Sequence, residues 1–448
     1  MRSDLQLASS APPSSSGSPF VKLAAVTVLT GVGAGCGGML LALLLHAIQH
    51  AAYGYGATHL IGNESFLAGV SAADPLRRLA VLTGCGLVAG VGWWALYRYG
   101  RPLVSIRRAV RADDPRMPAA STTLHALLQI VTVALGSPLG REVAPREIGA
   151  LLAGRLAHRA GLTPADCRLM VACGAGAGLA AVYNVPLGGA VFVLEVLLGT
   201  FQLRALVPAV VTSAIAAAVA WLGLGNEHQY SVPPFALSAS LVAWSAVCGP
   251  VFGLAAYGFV RLTSRARAAA PKDWRLPVLA LLNFVAIGWL AMRFPQLLGN
   301  GKGAASLSFD GALTIGVAAT LLALKVLITA SSLRAGAEGG LLTPGLANGA
   351  LLGIVLGGAW SLVWPGASAG ECALVGATAF LAASMQMPIT AVVLLLEFTR
   401  AGHDSLVPML FAVAGSLVAY RWAERLAERR AAAQRETVPE LAVAVRQP

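Results

Sequence analysis

Gly174-Ala-Gly-Ala-Gly-Leu-Ala-Ala-Val-Tyr-Asn-Val-Pro186, running on to Leu194-Glu195, is written a second time as Gly376-Ala-Thr-Ala-Phe-Leu-Ala-Ala-Ser-Met-Gln-Met-Pro388, running on to Leu396-Glu397. The copies lie 202 residues apart (186 to 388), and 10 of their 22 aligned positions are identical. Flanking echoes keep nearly the same spacing: Gly149-Ala-Leu-Leu152 returns as Gly349-Ala-Leu-Leu352, and Leu206-Val-Pro208 returns as Leu406-Val-Pro408. One match between apolar segments arises easily by chance; three in the same order mark an internal duplication. In a membrane chain, two related halves with broken helices and buried carboxylates are the usual build of a transport path between the halves.

Composition points the same way. Of 448 residues, 57% are hydrophobic and 12% charged, where a soluble domain carries about 25% charged residues. The apolar stretches 21–48, 79–96, 206–224 and 276–292 approach or exceed the roughly 20 residues that cross hydrocarbon. Stretches 187–198 and 389–396 are too short and imply helices that stop partway. Backbone freed in this way must be buried in protein or line a wet cavity. The expectation is an all-α polytopic membrane protein, a bundle of many interrupted and tilted helices. Its parts are a disordered Ser/Pro-rich tail (1–20), one transmembrane domain (21–420, with halves of roughly 21–225 and 236–420) and a basic cytoplasmic tail with an Arg-rich amphipathic helix (421–448).

The net charge of +12 comes from loops at 98–116 and 261–275 and from the segment 421–435. These are the cytoplasmic flanks expected from the positive-inside bias and from contact with anionic lipid, so the lipid bilayer is the expected partner and nucleic acid is not. The six cysteines include no CxxC pair and read as small packing residues. The N-terminal segment lacks the apolar core and cleavage site of a secretory signal. No metal cluster or nucleotide loop stands out, so no cofactor is expected.

Ionisable residues within apolar surroundings are few: Arg141, Glu142, Glu147, Glu195, Arg334, Glu338 and Glu397. Each is expensive there unless paired or functional. The first three lie in Gly136-Ser-Pro-Leu-Gly140-Arg-Glu142-Val-Ala-Pro145-Arg-Glu147-Ile-Gly149. Pro145 suits the first turn of a helix, and the residues before it then present free N–H groups at the helix's positive end, a ready anion site. The second-half counterpart, Gly336-Ala-Glu-Gly-Gly340-Leu-Leu-Thr343-Pro344, also precedes an apolar helical run. If the halves pack face to face, two such helix starts converge.

Gly140-Arg141-Glu142 leading into a proline and Ile148-Gly149 resembles the first signature of the CLC chloride channels and transporters. Gly340-Leu341-Leu342-Thr343-Pro344 is similar to their GxFxP signature, with Leu in place of the usual Phe. Ala180-Ala-Val-Tyr-Asn-Val-Pro-Leu187 resembles a third characteristic stretch, and the likeness spans roughly 21–420. The resemblance implies an inverted-repeat helical fold, a homodimer with one anion path per subunit, chloride or another small anion as substrate, and a plasma-membrane location, bacterial in type. It puts Glu142 on the gating glutamate, a tethered competitor for the anion. It puts Val143 and Ala144, and Leu341 and Leu342, on positions whose backbone N–H groups hold the anion. The alternative reading of Glu142 is a plain ion pair with Arg141.

Departures from the family pattern matter too. Val143-Ala144 replaces the usual Gly-Pro, with Pro145 one place later. Counted back without gaps, Arg101 falls where an anion-contacting serine is usual; it is either an ordinary cytoplasmic loop arginine or a positive charge at the inner mouth. No tyrosine stands where the anion-contacting tyrosine is expected, a region reading Glu424-Arg-Leu-Ala-Glu428-Arg-Arg430. The inner proton-relay glutamate of coupled members is Val196 here, immediately after Glu195. Glu195 and its repeat mate Glu397 are either helix-capping acids or, for Glu195, a candidate in a proton path. The favoured expectation is gated anion transport, channel-like or weakly proton-coupled. The alternatives are a proton-coupled chloride or fluoride antiporter and, from another class, a serine hydrolase based on Gly366-Ala-Ser368-Ala-Gly370. That motif lacks the strand–turn–helix setting of a nucleophile elbow. Gly54-Tyr55-Gly56 lacks the preceding Thr-Val of a potassium filter.

Overall fold

The computed structural model describes residues 19–55, 65–234 and 237–444, with side chains described as far as 431. The expected tail at 1–20 falls, but for its last two residues, outside the described residues, as does Gly56. The first half contains α1 (Pro19–Tyr53), α2 (Phe66–Ala72), α3 (Pro75–Tyr99), α4 (Ile106–Arg111), α5 (Ala119–Ala134), α6 (Val143–Arg159), α7 (Pro164–Tyr183), α8 (Pro186–Phe192) and α9 (Leu203–Leu224). The second contains α10 (Ala239–Ala268), α11 (Arg275–Arg293), α12 (Lys302–Phe309), α13 (Ile315–Arg334), α14 (Leu342–Ser361), α15 (Ala369–Met385), α16 (Pro388–Thr399) and α17 (Leu406–Ala444). The protein is all-helical, and among the described residues nine helices are long and apolar enough to cross a membrane. Of these, α7 and α14 have 83% and 72% of their apolar windows buried, against 33% for α11. The first two are therefore enclosed by protein, while α11 has the exposure of a lipid-facing helix.

The duplication reappears as packing. α6 lies on α7 as α14 lies on α15, and α1 lies on α9 as α10 lies on α17. The α6–α7 crossing is at Gly149 and Gly174, where a Cβ on either would run into the other's carbonyl oxygen; Gly349 and Gly376 repeat this between α14 and α15. Small residues let backbones approach in this way when lipid supplies no hydrophobic drive between helices. Gly149→Val should therefore force α6 off α7. Overpacking costs about 1–3 kcal/mol even where side chains can shift, and backbone cannot. The expected result is a lower detergent-extracted melting temperature or loss of monodisperse protein; an unchanged melting curve would contradict the crossing.

The repeated stretch itself breaks the helices. Asn184 and Gln386, 202 residues apart, both take the left-handed conformation (φ 56° and 53°) and end α7 and α15. A non-helical residue follows, Val185 or Met387, and then a proline starts the next helix at its first position. A left-handed residue ends a helix and satisfies its last carbonyls, and the residue before proline is driven out of the helical region.

The short helices α8 and α16 begin with unsatisfied N–H groups, and each is capped from the other half. Glu397 at the end of α16 accepts from Leu187 N (3.0 Å) and Gly188 N (2.6 Å). Glu195 accepts from Ile389 N (3.0 Å) and Thr390 N (2.7 Å), and from the Thr390 hydroxyl (2.6 Å). Exchanging the halves maps one cap onto the other. Glu195 sits in a π-helical turn, Val193–Leu198, that continues α8.

Pro145 lies in the first turn of its helix, as expected; α6 starts at Val143, with Glu142 as its N-cap residue. Pro145 becomes the third helical residue, as Pro344 is in α14; both positions lie in the first turn, where a missing N–H breaks no intrahelical bond. At the other end, α17 passes through Tyr420 without interruption and continues to Ala444.

Candidate functional site

The two helix starts do converge. Gly140 and Gly340 pair as an antiparallel bridge, with Gly140 N donating to Gly340 O (2.8 Å) and Gly340 N donating to Gly140 O (2.9 Å). This bridge joins the loop before α6 to the loop before α14, so the positive ends of both helices face a common centre. Glu142 occupies that centre. Its side chain is buried (1% exposed), Oε1 accepts the Leu342 N–H at 2.8 Å, and Oε2 has no hydrogen-bond partner. Both bridge residues are glycines packed on the Glu142 carboxyl group, where a Cβ would meet that group and displace it.

The protein's own carboxylate thus sits at the start of α14: one oxygen is held by a backbone donor at a helix N-terminus, and the other is buried with an open acceptor. Arg141 does not form the ion pair that was the alternative reading. Its guanidinium lies over the Tyr183 ring (5.3 Å to the centroid) with Nε buried and unpartnered, and among the described residues no ion pair joins it to Glu142. The Tyr183 hydroxyl meets Thr343 Oγ1 (3.2 Å), linking the end of α7 to the first turn of α14.

The remaining residues sort by their contacts. Val143 and Ala144 form the first turn of α6, and Leu341 and Leu342 flank the start of α14, so all four stand at the two helix ends. Glu147 is held away from the centre by His125 Nδ1 (2.9 Å) and Gln129 Nε2 (3.3 Å). Arg101 is exposed in the connection between α3 and α4, and no described contact joins it to Glu142 or Leu342. Glu338, one residue before the bridge loop's glycine pair, accepts from Tyr97 (3.2 Å) and pairs with Arg267 (3.5 Å), which also bonds Gly339 O (2.9 Å).

Glu195 lines a cleft of about 510 Å³ on the basic face with Val196, Arg111, Asp166, Arg168 and Arg204. Its carboxylate already serves as the cap of α16. Glu195→Ala should leave those N–H groups without partners, at up to about 1–3 kcal/mol for the part-buried Thr390 donors and less for the exposed Ile389 N–H. The expected result is a drop in melting temperature, matched by Glu397→Ala, with anion selectivity retained. A normal melting curve with altered proton movement would assign Glu195 to a proton path instead. Ser368 of the hydrolase-like motif is the N-cap of α15: its Oγ accepts from Glu371 N (3.2 Å), while Ser368 N donates to Glu371 Oε2 (2.9 Å). The motif is a capping box.

Sequence reading missed Lys325, a single lysine in the apolar run of α13. It is fully buried and donates to the carbonyls of Leu297 (3.2 Å) and Gly299 (2.9 Å). Gly299 N in turn donates to Gly136 O (3.0 Å), at the start of the Glu142 loop. A lone charge between leucines and valines was the available signal.

Residues 85–421 match the protein family described as voltage gated chloride channel. A voltage-gated ClC-type chloride channel ClcB of Citrobacter koseri is 30% identical over 393 residues, covering 83% of this chain and 91% of its own. The fold is similar to that of a slow cyanobacterial Cl⁻/H⁺ antiporter, with a TM-score of 0.78, 19% identity and coverage of 92% of this chain and 99% of the other. It is also similar to a CLC-type fluoride/proton antiporter, with a TM-score of 0.62, 19% identity and coverage of 89% and 95%.

Proposed function

The chain belongs to the voltage-gated chloride channel (CLC) family of multi-pass membrane anion transport proteins, and from that membership we propose that it passes chloride or a similar small anion through a centre gated by Glu142. The observation that carries this reading is the Glu142 carboxylate seated on the Leu342 N–H between two helix starts, with its second oxygen unpartnered. Helix N–H dipoles bind an anion without a full buried countercharge, so the ion can leave as well as enter. Protonating or displacing the carboxylate vacates the place.

We propose channel-like or weakly coupled transport. Val196, a hydrocarbon, stands where coupled members carry their inner glutamate, and the neighbouring Glu195 has its oxygens committed to α16. The second reading is a proton-coupled chloride or fluoride antiporter, favoured by the likeness of the fold to a Cl⁻/H⁺ antiporter and a fluoride/proton antiporter. Arg101 enters the proposal only as an exposed charge that raises anion concentration at the inner mouth. A homodimer in a bacterial plasma membrane is proposed as the working assembly, to be weighed in detergent by light scattering.

The test is chloride efflux from liposomes holding the purified protein, with external pH followed in the same cuvette and valinomycin added to release the membrane potential. Chloride flux without uphill proton movement supports the channel-like reading. Uphill proton movement establishes the antiporter. Fluoride flux without chloride flux would overturn chloride as the substrate.

A further inference from the structure

Arg146 is absorbed by nothing described so far. It lies one helical turn after Glu142, and residues four apart on a helix are neighbours, about 5–6 Å between Cβ atoms. Its Nε is buried without a hydrogen-bond partner, and among the described residues it forms no ion pair. The guanidinium instead rests on the Phe192 ring of α8, 4.4 Å from the centroid. Phe192 stands four residues before Val196, which lines the inner cleft. A permanent positive charge therefore lies against α8, whose continuation carries Val196 to the cleft, and one turn from Glu142. Arginine is the residue for such a post, because it stays charged when buried and stacks on aromatic faces.

The other titratable or charged groups around this pair are Arg141 just before α6, Glu147 on α6, His125 on α5, His46 on α1, Tyr183 on α7, Arg107 on α4 and Tyr230 before α10. Arg141 is the other cation that acts on the Glu142 carboxylate, and it stands before α6 and away from α8. Glu147 is engaged by His125 and Gln129, Arg141 is stacked on Tyr183, and Arg107 is exposed. Glu142 is the carboxylate left to balance Arg146.

We propose that Arg146 is a specificity-determining positioning residue: its fixed charge keeps Glu142 ionised on the α14 N-terminus and bars protons from reaching the gate along α8 from the inner cleft. A fixed cation on a narrow route repels protons while leaving anions free to pass. The inference rests on the reading of Glu142 as the gate and explains why that gate opens without an inner proton supply.

The experiment is the pH profile of chloride efflux from proteoliposomes for wild type, Arg146→Met, Arg146→Gln and Arg146→Lys, each also in the Glu142→Gln background. An opposite charge within about 4–6 Å moves a carboxylate's titration by one to three pH units. Met and Gln should therefore move the midpoint of the flux curve up by at least about one pH unit and admit proton movement that the wild type lacks. Lys, which keeps its charge less well when buried, should move the midpoint less than Met or Gln, and in the Glu142→Gln background no substitution should move it. Met and Gln are both used because they keep length while differing in polarity, so misfolding of one leaves the other to decide. A curve for folded Met or Gln variants that overlays the wild type overturns the proposal, as does a shift that persists without Glu142. A Glu142→Gln protein with unaltered pH dependence instead overturns the gate reading.

Discussion

Glu142→Gln is expected to raise chloride efflux about tenfold or more and to leave it nearly independent of external pH. The wild-type carboxylate holds its place through a charge-assisted hydrogen bond to Leu342 N at 2.8 Å, in a pocket closed by Gly140 and Gly340. Hydrogen bonds to charged groups contribute about 1.5–3 kcal/mol, a factor of about 10 to 100 in occupancy. A neutral amide loses most of that advantage and no longer competes as an anion, so the seat is open more of the time. Any proton movement should disappear with the titratable group. Efflux with wild-type rate and wild-type pH dependence would remove Glu142 from the gate.

The second large effect is expected from the donor side. Incorporating the α-hydroxy analogue of leucine at position 342 turns the 341–342 peptide bond into an ester and deletes one N–H while keeping the side chain. In the Glu142→Gln background the gate is already weakened, so the change reports on the mobile anion alone. Losing one hydrogen bond to a charged ligand should cost about 1.5–3 kcal/mol, and chloride affinity and flux should fall by about tenfold or more. Leu342→Ala keeps the donor and should stay near the parent, because the helix start supplies the backbone whatever the side chain. Ester protein with undiminished chloride flux would show that the α14 N-terminus does not bind the anion.

How much was legible varies by residue. The break after Asn184 and its repeat at Gln386 could be read from Asn-Val-Pro and Gln-Met-Pro, because a proline and its predecessor restrict their own backbone. The first turn of α6 could be located from Pro145, but not its first residue, because proline is tolerated throughout a first turn. Glu195 and Glu397 could be recognised as repeat mates, with capping as one of two readings. Their partners could not be named, since each acid caps a helix about 200 residues away in the chain. Arg146 gave no local signal: beside Glu147 on a helix it looks like half of an ordinary charged pair, and only His125, by engaging Glu147, leaves it without that partner.

The sequence by itself determined the duplication, the all-helical membrane class and the places where helices stop. These follow from composition and from short-range backbone chemistry, which act within a few residues; Glu142 was singled out as the proposed gate only through its resemblance to a family signature. Only the tertiary structure decided that Gly140 pairs with Gly340, that Glu142 sits on Leu342 and not on Arg141, and that each half caps the other's short helix. Those contacts join groups about 200 residues apart. They exist because the small-residue faces of the two halves pack closely enough to bring opposing helix starts within hydrogen-bond reach, and nothing near Glu142 in the chain records that the Leu342 N–H will be there.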